Sequence, residues 1–238
     1  MLILFDIDGT MLHTERAGVT SMLEAGRELF GDHFSFEGID VAGRLDSLIW
    51  RDLCAANGVE PSDDNHTRFR TRYGRALADR LTREATARAL PGVVPLLDAL
   101  TKFEEITIGL LTGNYPETGR LKISAAGIDP DRFLVAAWGI DGPSRRHLPP
   151  VAMRRHRELL GRDIAADRVL VIGDTPHDVD CAHHNGCRVI GVATGSFSVD
   201  RLRDEGADLA VTSLEETSSL VDWIRSLPTR PASQQTAR

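Results

Sequence analysis

The chain opens with an apolar run that ends in two aspartates, Leu2-Ile3-Leu4-Phe5-Asp6-Ile7-Asp8-Gly9-Thr10. A short apolar run that stops at a turn residue predicts a strand buried on both faces of a parallel sheet. Ligands of open parallel sheets bind beyond the carboxyl ends of the strands. Asp6 and Asp8 follow this strand directly, so we expect them to lie at a functional site.

Further apolar runs follow along the chain, with helical patterns between them. The runs lie at residues 106–111, 133–137, 169–172, 189–193 and 209–211. Helices are predicted at residues 93–103, 116–126, 150–160, 176–185 and 214–227. This alternation predicts an α/β fold with a doubly wound parallel sheet, a Rossmann-like core.

One interval, residues 15–89, interrupts the alternation, because it has helical patterns and no convincing strand. Its helices are predicted at residues 18–30, 44–57 and 62–89. An insertion of roughly seventy residues is too long for a loop and indicates a helical cap subdomain over the carboxyl ends of the strands. We therefore expect a core of residues 1–14 and 90–228 and a cap of residues 15–89. Residues 229–238 are polar, lack an apolar period and are predicted to be a disordered tail.

Composition restricts the class of protein. The 238 residues carry a formal net charge of −7, which argues against nucleic acid as a partner. Three cysteines give no disulfide framework and fit a reducing compartment. No apolar run approaches the roughly 20 residues of a membrane helix, and the first five residues are too short for a signal peptide. We expect a soluble cytoplasmic protein that binds no membrane.

Polar residues follow other strands of the predicted sheet as well. They are Thr112-Gly113-Asn114, the stretch from Asp174 to Asp178, and the basic pair Arg145-Arg146 ahead of a helix. Asp6, Asp8 and Asp174 would meet at one end of the sheet, where like charges repel unless a cation lies between them. Carboxylate oxygens beside a phosphate suit Mg²⁺. Helix starts such as the one at Pro116 bind anions, and arginine binds phosphate oxygens.

These motifs resemble, in order, three motifs of the haloacid-dehalogenase-like hydrolase superfamily. The stretches that carry the resemblance are Asp6–Thr10, Leu111–Asn114 and Ile172–Asp178. The helical insertion after the first motif resembles the cap of the phosphoglycolate-phosphatase-like branch. The resemblance spans the predicted core.

The resemblance implies a role for each matching position. Asp6 would attack phosphorus to form an aspartyl-phosphate, and Asp8 would protonate the leaving oxygen and then activate water. Thr112, with the amides of Gly113 and Asn114 and a basic residue, would hold the phosphoryl oxygens. Mg²⁺ would be held by Asp174, the Asp6 carboxylate and the main-chain carbonyl of Asp8, with Asp178 supporting the metal site from behind.

Two positions are left open. Members of this superfamily often carry a lysine in the basic motif, whereas this chain has no lysine after Lys122, so Arg145 or Arg146 must take its place. The loop of residues 43–46 resembles a loop that closes over substrate, and Arg44 could then bind a remote anionic group of the substrate.

We expect a magnesium-dependent phosphatase that hydrolyses a small phosphorylated metabolite. Asp8 argues against a dehalogenase, which typically lacks the second aspartate, and the absence of lysine before Lys102 argues against a phosphonate-cleaving relative. A phosphosugar mutase of the β-phosphoglucomutase type and a non-catalytic binding protein on the same scaffold remain alternatives. The sequence does not indicate which phosphate ester is the substrate or what the oligomeric state is.

Overall fold

A computed structural model describes residues 1–227, so residue 228 and the predicted tail at residues 229–238 lie outside the described part of the chain. Strands are β1 (Leu2–Phe5), β2 (Leu12–His13), β3 (Arg88–Ala89), β4 (Thr107–Leu111), β5 (Val135–Ala137), β6 (Val169–Gly173), β7 (Arg188–Val192) and β8 (Leu209–Val211). Helices are α1 (Ala17–Phe30), α2 (Asp46–Asn57), α3 (Asp63–Glu84), α4 (Val93–Leu100), α5 (Pro116–Ala125), α6 (Leu148–Leu160), α7 (Pro176–His184), α8 (Val199–Asp204) and α9 (Thr217–Ser226).

Six strands form one parallel sheet in the order β5-β4-β1-β6-β7-β8. The chain runs from β1 through β4 to β5 on one side and then crosses to β6 on the other side of β1. This reversal makes β1 the topological switch point, where the crevice beyond the strand ends takes ligands. The predicted α/β doubly wound fold with an inserted helical subdomain is confirmed.

Strand β1 is buried on both faces because apolar residues occupy each of its positions. Leu2 and Leu4 pack into the core on one face of the sheet, and Ile3 and Phe5 pack into the core on the other. All four side chains are fully buried. Burial on both faces holds the end of the strand rigidly, and with it the backbone of Asp6.

Helices α1 to α3 form the insertion, and their apolar cluster also includes Tyr115 of the core, just before α5. The apolar face of α3 carries Phe69, Tyr73 and Leu77 into that cluster. On another face of α3, Arg72 and Arg80 pair with Glu24 of α1. Two of the arginines that make this helix basic therefore bind the neighbouring helix α1.

A short antiparallel ribbon at the base of the insertion was not predicted. Leu12 pairs with Ala89 and His13 with Arg88, whereas the sequence predicted a helix that continues to residue 89. Helix α3 ends at Glu84, followed by Ala85 in the left-handed conformation with φ 48°. Two-residue strands show no hydrophobic period, and pairing between distant residues is invisible to a local pattern.

The insertion lies directly against the core at the start of α2. The main-chain amide of Asp46 donates to the carbonyl of Gly113 at 2.7 Å. A Cβ atom at Gly113 would lie 2.1 Å from the carbonyl oxygen of Arg44, so the contact requires glycine. The insertion therefore covers the carboxyl end of β4. None of the helices within residues 1–227 is long and apolar enough to cross a membrane.

Candidate active site

A cavity of about 600 Å³ separates the carboxyl ends of the strands from the helical insertion. Most of the residues singled out in the sequence lie on its wall: Asp6, Asp8, Arg44, Gly113, Asn114, Arg145 and Asp174. They come from the ends of β1, β4 and β6, the loop before α2 and the turn before α6. The topology thus brings residues more than a hundred positions apart into one site.

Asp6 lies at the bottom of this cavity beside a buried arginine. Nη2 of Arg145 is 3.0 Å from Oδ2 of Asp6 and 2.6 Å from Oδ1 of Asp178. Burial raises the pKa of Asp6 to about 6, against the opposing effect of the Arg145 charge. Asp6 is therefore a buried carboxyl group paired with a cation that a substrate phosphate could share.

Asp174 completes a cluster of buried carboxylates. Oxygen atoms of Asp6, Asp174 and Asp178 lie within 4.8 Å of one another. Burial and the charges of its two neighbours raise the pKa of Asp174 well above its usual range. A Cβ atom at Gly195 would lie 1.8 Å from Oδ2 of Asp174, so the backbone closes tightly around this carboxylate.

The carboxylate oxygens of this cluster differ in the number of hydrogen bonds that they accept. Both oxygens of Asp178 accept hydrogen bonds, Oδ1 from Arg145 and Oδ2 from the amide and hydroxyl of Thr175. Asp174 accepts one from Thr10 through Oδ1, and no hydrogen bond to its Oδ2 comes from residues 1–227. Hard oxygen donors with a free position fit a small divalent cation.

Asp8 lines the same cavity and is held by two side chains. Asn114 Nδ2 donates to Oδ2 of Asp8 at 2.8 Å, and Lys122 Nζ donates to the same oxygen at 2.7 Å. The Asp8 side chain is 44 % exposed and faces the cavity. It is therefore anchored at one oxygen and accessible at the other.

Three of the predicted residues lie away from the cavity wall or are engaged elsewhere. Thr112 is fully buried behind the wall, and its hydroxyl accepts a hydrogen bond from Asn114. Arg146 points to the surface, where it forms two hydrogen bonds with Asp180. Arg44 lines the cavity, yet its guanidinium forms an ion pair with Asp52 of α2 at 2.5 Å. Of the two adjacent arginines, only Arg145 contacts the carboxylate cluster.

Two charged residues of the cavity were missed by the sequence reasoning. Lys122 is 5 % exposed on the inner face of α5, and Asp46 is 7 % exposed at the start of α2. Burial raises the pKa of Asp46 to about 7. A signal existed for Lys122, because a lysine that shares a helix face with Thr118 and Ile123 must find a partner when buried.

Comparison with known proteins agrees with this geometry. Residues 3–183 match the family described as haloacid dehalogenase-like hydrolase. The chain is 31 % identical over 234 residues to a phosphoglycolate phosphatase of Rhodospirillum rubrum, covering 93 % of this chain and 90 % of that protein. It is 23 % identical to glycerol-1-phosphate phosphohydrolase 2 of Saccharomyces cerevisiae, with 89 % and 82 % covered.

Solved structures agree on the fold. The crystal structure of CbbY from Rhodobacter sphaeroides in complex with phosphate superimposes with a TM-score of 0.69 at 20 % identity, covering 90 % of this chain and 95 % of that one. The family match spans most of the chain and includes all three motifs at the cavity. The chain belongs to the haloacid dehalogenase-like hydrolase family and is an enzyme of that family.

Proposed function

We propose that this enzyme is a magnesium-dependent phosphatase that hydrolyses a small organic phosphomonoester through an aspartyl-phosphate on Asp6. One observation carries the proposal. A nucleophile paired with a buried arginine, Asp6 with Arg145, and a second carboxylate, Asp8, line the same cavity. The similarity to a phosphoglycolate phosphatase and to a glycerol-1-phosphate phosphohydrolase supports the same reaction class.

The two aspartates would divide the chemistry between them. Asp6 attacks phosphorus while Asp8 gives a proton to the leaving oxygen, and Asp8 then takes a proton from the water that hydrolyses the aspartyl-phosphate. Arg145, which forms an ion pair with Asp6, would also donate hydrogen bonds to the phosphoryl oxygens. The amide of Gly113 would bind a remaining phosphoryl oxygen at the start of α5. The buried Thr112 hydroxyl and the Asn114 amide would join it once the hydrogen bonds from Asn114 to Thr112 are broken.

The carboxylate cluster fits Mg²⁺. Asp6 and Asp174 offer carboxylate oxygens and Asp8 its main-chain carbonyl, while Asp178 is occupied by Arg145 and Thr175 and would support the site. Burial and repulsion from Asp178 and Asp6 raise the pKa of Asp174, and the charge of Arg145 does not offset them. When bound, the cation would screen the phosphate from the carboxylate that attacks it.

The helical insertion would act as the cap of this enzyme. We assign residues 15–89 to the cap and residues 1–14 and 90–228 to the core. The cap excludes water from the cavity, and Arg44 at its edge is the candidate for binding an anionic group remote from the phosphate, although this would require it to share Asp52. We place the enzyme in the cytoplasm, since Cys54, Cys181 and Cys187 are free thiols.

A phosphate-release screen over a panel of phosphorylated metabolites with Mg²⁺ tests the proposal. We expect turnover of small monoesters that a chelator abolishes. Asp6→Asn should lower turnover by about 10³-fold or more, because it removes the nucleophile. Asp180→Asn, which changes an exposed aspartate in the same way, should leave turnover unchanged.

Three results would contradict the proposal. Full activity in Asp6→Asn would exclude Asp6 as the nucleophile. Interconversion of phosphosugar isomers without net phosphate release would assign a mutase instead, and binding of a phosphorylated metabolite without any turnover would assign a binding protein.

A further inference from the structure

Lys122 is a buried cation that none of the catalytic roles above uses. It lies on α5 in the core, and its ammonium donates to Asp8 Oδ2 at 2.7 Å and to Asn114 Oδ1 at 2.6 Å. Burying a lysine is costly unless it is paired, so its place at the cavity is specific. The only other lysine, Lys102, is exposed.

Both side chains that hold Asp8 bond the same oxygen. Asn114 Nδ2 and Lys122 Nζ each donate to Oδ2. Within residues 1–227, no side chain or amide donates a hydrogen bond to Oδ1. The arrangement fixes the rotation of the carboxyl group and leaves Oδ1 available to a bound molecule.

The anchor of Asp8, formed by Asn114 and Lys122, is connected to both the core and the insertion. Asn114 Nδ2 also donates to the Thr112 hydroxyl at 2.9 Å, which joins the anchor to the end of β4. From the insertion, Gly18 of α1 approaches so closely that a Cβ there would lie 3.2 Å from Lys122 Nζ. The ammonium is therefore enclosed between core and insertion and has little freedom to leave Asp8.

We propose that Lys122 is a positioning residue that, together with Asn114, holds Asp8 through Oδ2 so that Oδ1 faces the leaving oxygen of the substrate. This inference rests on the proposed phosphatase function. In the first step an Asp6 oxygen bonds to phosphorus, the ester P–O bond breaks, and the leaving oxygen takes the proton from Asp8 Oδ1. In the second step water bonds to phosphorus, its proton returns to Asp8 Oδ1, and the Asp6–phosphorus bond breaks to release inorganic phosphate.

If Lys122 positions Asp8, the effect of replacing it on the rate of aspartyl-phosphate formation should depend on the leaving group. A merely structural role predicts no such dependence. An aliphatic alcohol needs a proton as it leaves, whereas p-nitrophenolate does not. Misplacing Asp8 should therefore slow aspartyl-phosphate formation only from aliphatic esters. It should slow hydrolysis of the aspartyl-phosphate whichever ester was used, because the intermediate is the same.

The test compares phosphoglycolate and glycerol 1-phosphate with p-nitrophenyl phosphate in rapid-mixing experiments with Mg²⁺. For Lys122→Met we expect turnover of the aliphatic esters to fall by about 10- to 100-fold, a fraction of what general acid catalysis supplies. With p-nitrophenyl phosphate, this variant should still release a first burst of p-nitrophenolate. The aspartyl-phosphate should then accumulate, because its hydrolysis is slowed. Lys122→Gln keeps a hydrogen-bonding group in the buried position and is measured in parallel, so that the comparison does not depend on the folding of Lys122→Met.

Two further variants serve as controls. Lys122→Arg retains a cationic donor and should recover part of the lost turnover of aliphatic esters. Lys102→Met removes the exposed lysine and should behave as the wild type.

The outcomes separate this inference from the proposed function. Equal losses in the rate of aspartyl-phosphate formation from aliphatic and aryl esters would overturn the inference and leave the phosphatase intact. Unchanged rates of both steps in Lys122→Met and in Lys122→Gln would do the same. A wild-type enzyme that hydrolyses only p-nitrophenyl phosphate would also count against it. A wild type that releases phosphate from no monoester would overturn the proposed function and the inference together.

Discussion

At the scale of single residues, adjacent arginines of the same charge have different environments. Arg145 is 7 % exposed and bonds Asp6, Asp178 and the carbonyl of Gly43. Arg146 is half exposed and bonds Asp180 on the surface. An exposed ion pair adds little to stability because water screens it, whereas removing one partner of a buried pair costs about 3–5 kcal/mol. Position in the fold, rather than residue type, separates the two.

Replacing each arginine by lysine tests this difference while keeping the charge. Arg145→Lys should lower kcat/KM for phosphate release by about 10²-fold, because a single ammonium cannot reproduce the forked contacts of the guanidinium. Arg146→Lys, the matched control one residue away, should stay within roughly twofold of the wild type. A larger loss in Arg146→Lys than in Arg145→Lys would move the phosphate site to the surface arginine.

At the scale of elements, helix α2 meets the core through the buried carboxyl group of Asp46. Its Oδ2 accepts a hydrogen bond from the amide of Tyr115 at 3.0 Å, and its own amide donates to Gly113. Burial raises the pKa of Asp46 to about 7, with the charge of Lys122 acting in the opposite direction. The contact between insertion and core therefore includes a group that titrates near neutrality.

Stability should depend on pH through this group. The folded-state pKa lies above the unfolded value of about 4, so the folded protein binds the proton more tightly. The free energy of unfolding contributed by Asp46 is thus greatest below about pH 4 and falls as the pH rises towards 7. The neutral side chain of Asp46→Asn removes this dependence.

Urea unfolding of wild type and Asp46→Asn at several pH values measures the effect. We expect the stability of the wild type relative to the variant to decrease between pH 5 and pH 7.5. Titrating groups that do not interact with Asp46 cancel in this difference. A difference that stays constant over the range would show that Asp46 does not titrate there.

At the scale of the whole molecule, the fold collects carboxylates at one end of the sheet. Asp6 follows β1, and Asp174 and Asp178 follow β6, the neighbouring strand. The sheet, packed on both faces, cannot relax to separate them. The carboxylates of this cluster repel one another, and a divalent cation bound between them would remove that repulsion.

Mg²⁺ should therefore stabilise the folded enzyme. At about ten times its Kd, a ligand that binds only the folded state adds about 1.4 kcal/mol, or roughly 3–6 °C in Tm for a chain of this size. Asp174→Asn should abolish this response and raise the Tm of the metal-free protein, because it removes one of the repelling charges. Thermal unfolding with a chelator and with Mg²⁺ measures both effects.

The control for this experiment is Asp180→Asn, which should keep the full response to Mg²⁺. An equal rise in Tm with Mg²⁺ in wild type and Asp174→Asn would place the cation elsewhere.

The fold and the family of this enzyme could be predicted largely from its local sequence. Apolar runs and helical periods predicted the α/β sheet, and the order of the three motifs predicted the family, because buried strands and helix starts impose patterns over a few neighbouring residues. The same patterns predicted the insertion, but they missed the ribbon of β2 and β3, whose two-residue strands are too short to show a period.

Tertiary structure decided the rest. Sequence alone identified Asp6 and Asp8 as candidates and did not decide between Arg145 and Arg146. Only the packing of α7 against the turn before α6 brings Arg145 to Asp178 and leaves Arg146 at the surface. Lys122 and Asp46 could be recognised as residues of the site only from the structure, because their contacts form where α5 and α2 meet at the cavity. A local pattern records what each residue's neighbours along the chain require, whereas partners across the fold depend on how the strands and helices pack.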